Sequence, residues 1–237
     1  MNTQKNPTIQ EDDLEIQTTS DGSKTIARKT SGLLYRSVHG ALQESTEVFV
    51  NGAQLVKIKN QWRVFELGFG TGMNFSTTYT FAQKLGVCLH YEAVDHLPIP
   101  KSYGTCIWAQ KALELVRRMK DTVILPIPNG TLTLHPYSFE EVHIGQTFDA
   151  IYHDPFGPGA NPDCWTNKCF QKESLLLSET GIWTSYGASG AMRRALAETG
   201  FYVAIGPGIG KKRETTRASK SKESLLPLKV KYIPTSS

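Results

Sequence analysis

The stretch FELGFGTGMNF, residues 65–75, decides how this chain folds. It sets three glycines, Gly68, Gly70 and Gly72, at alternate positions. WRVFELGF (62–69), which leads into them, reads as a buried strand, and NFSTTYTFAQKLG (74–86), which follows, reads as a helix ending at Gly86. Glycines between a strand and a helix allow a tight turn and let a ligand lie against bare backbone N–H groups. The helix N-terminus adds a partial positive charge to the same spot.

Strand, glycine turn and helix make a nucleotide-binding unit of the Rossmann type. The spacing then discriminates between guests. The dinucleotide pattern G-x-G-x-x-G, started at Gly68, needs a glycine where Met73 stands. A P-loop needs Lys and Ser or Thr after its last glycine, and here Met73 and Asn74 follow Gly72. Neither a diphosphate nor a triphosphate fits. The pattern E-x-G-x-G-x-G, opened by Glu66, resembles the first motif of S-adenosylmethionine-dependent methyltransferases. Their ligand carries a zwitterionic methionine end and a sulfonium in place of phosphates. A second predicted strand, VCLHYEAVD (87–95), ends in Asp95, where a Rossmann acid accepts hydrogen bonds from ribose hydroxyls.

Outward from the glycine turn, predicted helices and strands alternate from residue 62 to about 205. IWAQKALELVRRMK (107–120) reads as an amphipathic helix, GTLTLHPYS (130–138) and FDAIYHDPF (148–156) as strands, and NKCFQKESLLLSETG (167–181) as a helix. IWTSYG, SGAMRRALAETG and FYVAIG continue as strand, helix and last strand. This order predicts an α/β fold with a mostly parallel sheet. Residues 1–17 are polar, acidic and without periodicity, and are expected to be disordered. Residues 18–61, with the turn SDGSKT, the strand-like TIARK and the β-rich run STEVFVNGA (45–53), are expected to form an N-terminal β extension packing on the core. The methyltransferase-like domain then spans 62–218, and 219–237 is expected to be a flexible tail.

With 237 residues, 39% hydrophobic and 20% charged, the composition is that of a soluble domain. No apolar run approaches the roughly 20 residues that span a bilayer, and the polar start has no apolar signal region. Cys88, Cys106, Cys164 and Cys169 form no CxxC pair and read as reduced thiols in a cytoplasmic protein. The six histidines lack the helical spacing of a zinc enzyme, so no metal is expected. The net charge is only +4, but Lys211, Lys212, Arg213, Arg217, Lys220 and Lys222 crowd the last stretch. Such a cluster suits phosphates or simply solvent.

A second constellation, HDPFGPGANPDCWT (153–166), closes a strand of the same sheet. Ligands of open α/β sheets bind beyond the carboxyl ends of the strands, so Asp154 and Phe156 should face the crevice of the glycine turn. Asp-Pro-Phe resembles the D/N-P-P-Y/F motif of amine-methylating enzymes. An acid there accepts a hydrogen bond from an amine and aims its lone pair, and an aromatic ring stacks on a base or shields the methyl. An unperturbed Asp, with a pKa near ~3.9, is a poor proton acceptor from an amine. Orientation and charge stabilisation are the expected contributions of Asp154.

Five segments in this order are similar to one family: TSDGSKT, HGALQESTEVFV (39–50), FELGFGTGMNF, DPFGPGANPDCWT and GPGIGKKRE (206–214). The chain resembles, from about residue 18 to 218, the methyltransferase domain of the bifunctional tRNA 5-methylaminomethyl-2-thiouridine biosynthesis protein and its single-domain relatives. The resemblance implies methyl transfer from S-adenosyl-L-methionine to the C5-aminomethyl group of the wobble uridine, with the tRNA anticodon stem-loop as partner and no membrane. It implies that Tyr35, Glu44, Glu66, Gly68, Gly70, Gly72, Asn74 and Asp95 line the cofactor site, that Asp154 faces the amine with Phe156 beside it, and that Trp165, Lys211, Lys212 and Arg213 meet the substrate. The fused flavin oxidase domain is not expected here, so the aminomethyl substrate should come from a separate enzyme. The chain departs from the family pattern at Arg36, where His is common, at Pro155, where Ala is common, and at Met73, where Leu is frequent. Two other readings of the residues stay open: a small-molecule amine N-methyltransferase or aminopropyltransferase on the same fold, and a non-catalytic nucleoside- or RNA-binding module.

Overall fold

The computed structural model describes residues 9–58, 60–210 and 212–234. In the acidic head Ile9 is buried, and residues 1–8 lie outside the described part of the chain. Two strands, β1 (Leu14–Thr18) and β2 (Lys24–Arg28), pair antiparallel across the Asp21-Gly22 turn. The expected disorder of 1–17 is therefore corrected over 9–17: Leu14 is buried under the hairpin, and Asp13 is tied to Arg28 at 3.1 Å. The turn is pinned forward as well, because Asp21 Oδ2 accepts the Gln43 N–H at 3.0 Å.

The run STEVFV is not a strand. Helix α1 (Ala41–Glu44) continues into a wider helical turn over Ser45–Val50. Its Val and Phe residues favour strands on their own. Here Val48, Phe49 and Val50 are all buried, and Val48 O accepts a hydrogen bond from the Thr184 hydroxyl at 2.6 Å. Packing on the sheet outweighs local preference.

The α/β unit follows: β3 (Gln61–Leu67), α2 (Met73–Leu85), β4 (Cys88–Val94), α3 (Ile107–Met119), β5 (Val123–Ile127), β6 (Gly130–His135), β7 (Phe148–His153), α4 (Asn167–Leu176), β8 (Leu177–Ser185), α5 (Gly190–Glu198), β9 (Tyr202–Ile209), β10 (Lys212–Ser219) and β11 (Val230–Tyr232). One nine-stranded sheet runs in the order β11-β9-β10-β8-β7-β3-β4-β6-β5. β6, β4, β3, β7 and β8 are mutually parallel; β5, β10 and β11 pair antiparallel with their neighbours. FYVAIG is thus not the last strand, and the tail expected to be flexible is paired with β9 over β11.

Alternation along β3 sorts the core into two layers. Trp62 and Val64 pack with Phe75, Leu89, Tyr91 and Leu113 on the α2–α3 side. Phe65 and Leu67 pack with Phe148, Phe170, Trp183 and Leu196 on the α4–α5 side. The chain leaves β3 toward β4 on one side and returns to β7 on the other. The carboxyl ends of β3 and β7 therefore bound the switch point where open sheets take their ligands. No helix among the described residues is long and apolar enough to cross a membrane.

Candidate active site

Gly68 and Asp154 meet at the switch point. The Asp154 N–H donates to Leu67 O at 2.9 Å, and the Gly68 N–H donates to Val94 O at 2.9 Å. Gly68 has φ +93°, and a Cβ there would lie 2.7 Å from Asp154 O, so only glycine lets the strand ends close together. Gly70 has φ +52°, and a Cβ on it would come within 3.1 Å of the Tyr35 ring. Asp95 ties this turn down: its carboxylate accepts the N–H groups of Gly70 at 2.8 Å and Leu97 at 3.1 Å. Burial raises the Asp95 pKa, and these two N–H groups oppose the rise.

A cleft of about 1170 Å³ opens here, walled by Tyr35, Gly70, Asp95, Asp154, Phe156 and Trp165 among others. Tyr35 and Phe156 meet edge to face with ring centroids 4.9 Å apart. The Trp165 indole N–H donates to Phe156 O at 2.8 Å, which closes the 154–165 loop on itself.

Of the residues expected at the cofactor, Tyr35, Glu44, Gly68, Gly70 and Asp95 line this cleft. Glu66, Gly72 and Asn74 lie behind it. Gly72 starts α2, and a Cβ there would press on Ala109 at 2.7 Å. Glu66 and Asn74 have no exposed surface. Alternation in β3 points Glu66 to the α2 side, where its carboxyl accepts hydrogen bonds from Asn74 at 2.7 Å and from the Tyr91 hydroxyl at 2.8 Å. The same Asn74 amide donates to Asp154 Oδ2 at 3.0 Å. Burial, with the Asp154 charge adding to it, pushes the Glu66 pKa up to about 8. Burial also raises Asp154 to about 7, while the Arg36 guanidinium pulls against that rise. Trp165 lines the cleft; Arg213 is exposed and is not part of its wall. Lys211 and the Lys212 side chain lie outside the described part of the chain.

Two features of the site escape the sequence reading. Arg36, noted there only as a departure from a pattern, is buried and ion-paired to both Asp154 and Glu44. His153 and Glu173, also buried, pair at 2.9 Å, and Glu173 accepts the Trp183 indole N–H at 2.8 Å. Cys169 adjoins them, the three donor atoms lying within 4.8 Å of one another. Both Glu173 oxygens already accept hydrogen bonds, which accounts for the cluster without an ion. Glu173 was detectable in principle: it falls on the stripe of Cys169, Phe170 and Leu176, all buried on α4.

The glycine turn, the acid at the end of β4 and the acid-Pro-aromatic turn at the end of β7, joined on this sheet, define a Rossmann-like methyltransferase. A family model described as S-adenosyl-L-methionine-dependent methyltransferase matches residues 131–221. The chain is 29% identical over 220 residues to the tRNA 5-methylaminomethyl-2-thiouridine biosynthesis bifunctional protein MnmC of Ralstonia nicotianae, covering 84% of this chain and 33% of that protein. The crystal structure of MnmC2 from Aquifex aeolicus matches with a TM-score of 0.70 and 27% identity, over 88% of this chain and 70% of that one. A spermidine synthase from Thermotoga maritima, at 11% identity and a TM-score of 0.57, shares the fold. These likenesses relate the chain to the methyltransferase part of the tRNA 5-methylaminomethyl-2-thiouridine biosynthesis proteins. It spans about a third of the length of the curated relatives it matches.

Proposed function

We propose that this protein is a cytoplasmic tRNA methyltransferase that uses S-adenosyl-L-methionine to methylate the C5-aminomethyl amine of the wobble uridine. The observation that carries the reading is the meeting of Gly68 and Asp154 at one cleft, which brings a cofactor cradle and an amine-facing carboxylate together. The residues suit the cofactor. Bare backbone at Gly68 and Gly70 leaves room for it, and Asp95 suits its ribose. When bound, the cofactor supplies an activated methyl on a sulfonium, which needs no acid to leave.

The chain's own contribution is positioning. Asp154 accepts a hydrogen bond from the amine and turns its lone pair toward the methyl, while Phe156 and Trp165 wall off water and offer faces to the uracil ring. With its pKa near neutrality rather than near 4, Asp154 is also a competent proton acceptor for the ammonium that methylation leaves. The test is methyl transfer from labelled S-adenosyl-L-methionine to tRNA lacking this modification, followed by nucleoside analysis. The expected product is methylaminomethyl uridine, lost in Asp154→Ala. Cofactor binding without transfer to tRNA would overturn the tRNA claim and favour small amines, which the spermidine synthase fold likeness keeps as the second reading.

A further inference from the structure

The geometry points to Arg36 as a positioning residue for methyl transfer: its buried guanidinium, braced by Glu44 and the N-terminal hairpin, fixes the Asp154 carboxylate in the orientation and the ionised state in which it meets the acceptor amine. Four observations converge on this. Arg36 contacts Asp154 Oδ2 through one terminal nitrogen and Glu44 Oε1 at 3.0 Å through the other. The Arg36 side chain is only 5% exposed, and its charge stands over the Phe49 ring at 5.3 Å, so little water screens the pair. The backbone is held too: the Arg36 N–H donates to the Thr25 hydroxyl at 2.8 Å, and that hydroxyl donates back to Arg36 O at 3.1 Å. Thr25 belongs to β2, and Glu44 to α1, so the whole N-terminal extension converges on delivering this one cation to the end of β7.

The surroundings explain why a cation is needed. Asp154 faces Arg36 from the N-terminal segment, Glu44 from α1, Glu66 from β3 and Asn74 from α2. Asp95 ends the neighbouring β4, Tyr91 reaches Asp154 only through Glu66, and His153, next in the chain, is turned away to Glu173. Three carboxyls therefore surround one guanidinium. Without Arg36, mutual repulsion and burial would drive Asp154 to its neutral form, which neither attracts an ammonium nor accepts a proton. Arg36 touches Asp154 and not the reacting atoms, so it acts through that carboxylate.

The test has an arm that needs no activity. In full-length protein carrying ¹³C-carboxyl aspartate, the Asp154 signal is identified by its absence in Asp154→Asn and titrated from pH 5 to 10. In Arg36→Met its midpoint should rise by one unit or more; Arg36→Lys, which restores the charge but not the two-pronged contact, should recover most of that shift. The kinetic arm rests on the methyltransferase reading. Arg36→Met should lose tenfold or more in transfer rate at pH 7, and its rate relative to wild type should climb with pH as Asp154 ionises. Comparing the two proteins cancels the ionisation of the amine. An unmoved Asp154 midpoint in folded Arg36→Met, or in Arg36→Lys an activity loss independent of pH, would overturn the inference. Should wild type methylate no tRNA, the functional reading fails while the titration still decides the role of Arg36.

Discussion

Glu66 is a carboxyl group with no exposed surface, held by two donors and set near a second acid. Its pKa of about 8 in the native state lies well above the ~4.3 of an unfolded chain. Between those values the native protein keeps a proton that the unfolded chain has released, so stability falls as pH rises. The contribution is complete below pH ~4.3 and is lost by the time pH passes the native value, at up to about 1.4 kcal/mol per pH unit. Asp154 adds to the slope in the same direction. Denaturation of wild type and Glu66→Gln between pH 5 and 8.5 checks this: the variant should have the flatter profile. At Gly70 the constraint is steric. Gly70→Val puts a branched side chain at φ +52° against Tyr35, and cofactor affinity measured by calorimetry should fall tenfold or more while the fold persists. The placing of Gly70, Asp95 and Asp154 at one cleft was legible because each has a fixed distance from a strand end. Arg36 was not, since a single arginine in an irregular segment has no period to mark it, and its role depends on Glu44 and Asp154 arriving from other parts of the chain.

Helix α4 and strand β8 are joined beneath the cleft by Glu173, whose two oxygens take the His153 ring and the Trp183 indole. Glu173→Ala leaves two buried donors without an acceptor and opens a small cavity, for a loss of about 3 kcal/mol. Glu173→Gln keeps an acceptor for one of them and should lose less; equal losses in urea denaturation, followed by Trp fluorescence, would argue against the hydrogen bonds as the cause. Elements of this kind show how the sequence was and was not readable. α2 and α3 were evident because their signals act locally: α2 ends at Gly86, which has φ +69°, and α3 buries Ala109, Ala112, Leu113 and Val116 at helical intervals. The Ser45–Val50 turn was misread as a strand because its composition favours strands, while its helical form depends on β8 and α2, distant in sequence. β10 and β11 were missed for a related reason. KRETTRAS is polar and charged, and it becomes a strand by fitting between β8 and β9.

At the scale of the whole molecule, the proposed function raises the question of how a protein of net charge +4 would engage a polyanion. Such a charge is too small to attract tRNA to every face, so the arrangement has to matter. The β9–β10 hairpin turns at Gly210, where an added Cβ would sit 3.4 Å from His39. Its tip therefore stands beside the segment that carries Tyr35 and Arg36 into the cleft, and the run Lys211-Lys212-Arg213 follows directly. Arg213 is exposed and is not part of the cleft wall, so its charge is available to phosphates without disturbing the chemistry. Phosphate contacts release counterions, and each one lost flattens the dependence of log affinity on log salt by roughly 0.7–0.9. Replacing Lys211, Lys212 and Arg213 together by Ala should weaken tRNA binding most at low salt and reduce the slope by about 2–3. Affinity for S-adenosyl-L-methionine should be unchanged, because none of the described cleft residues is altered. A slope identical to wild type would mean that the hairpin does not touch the nucleic acid.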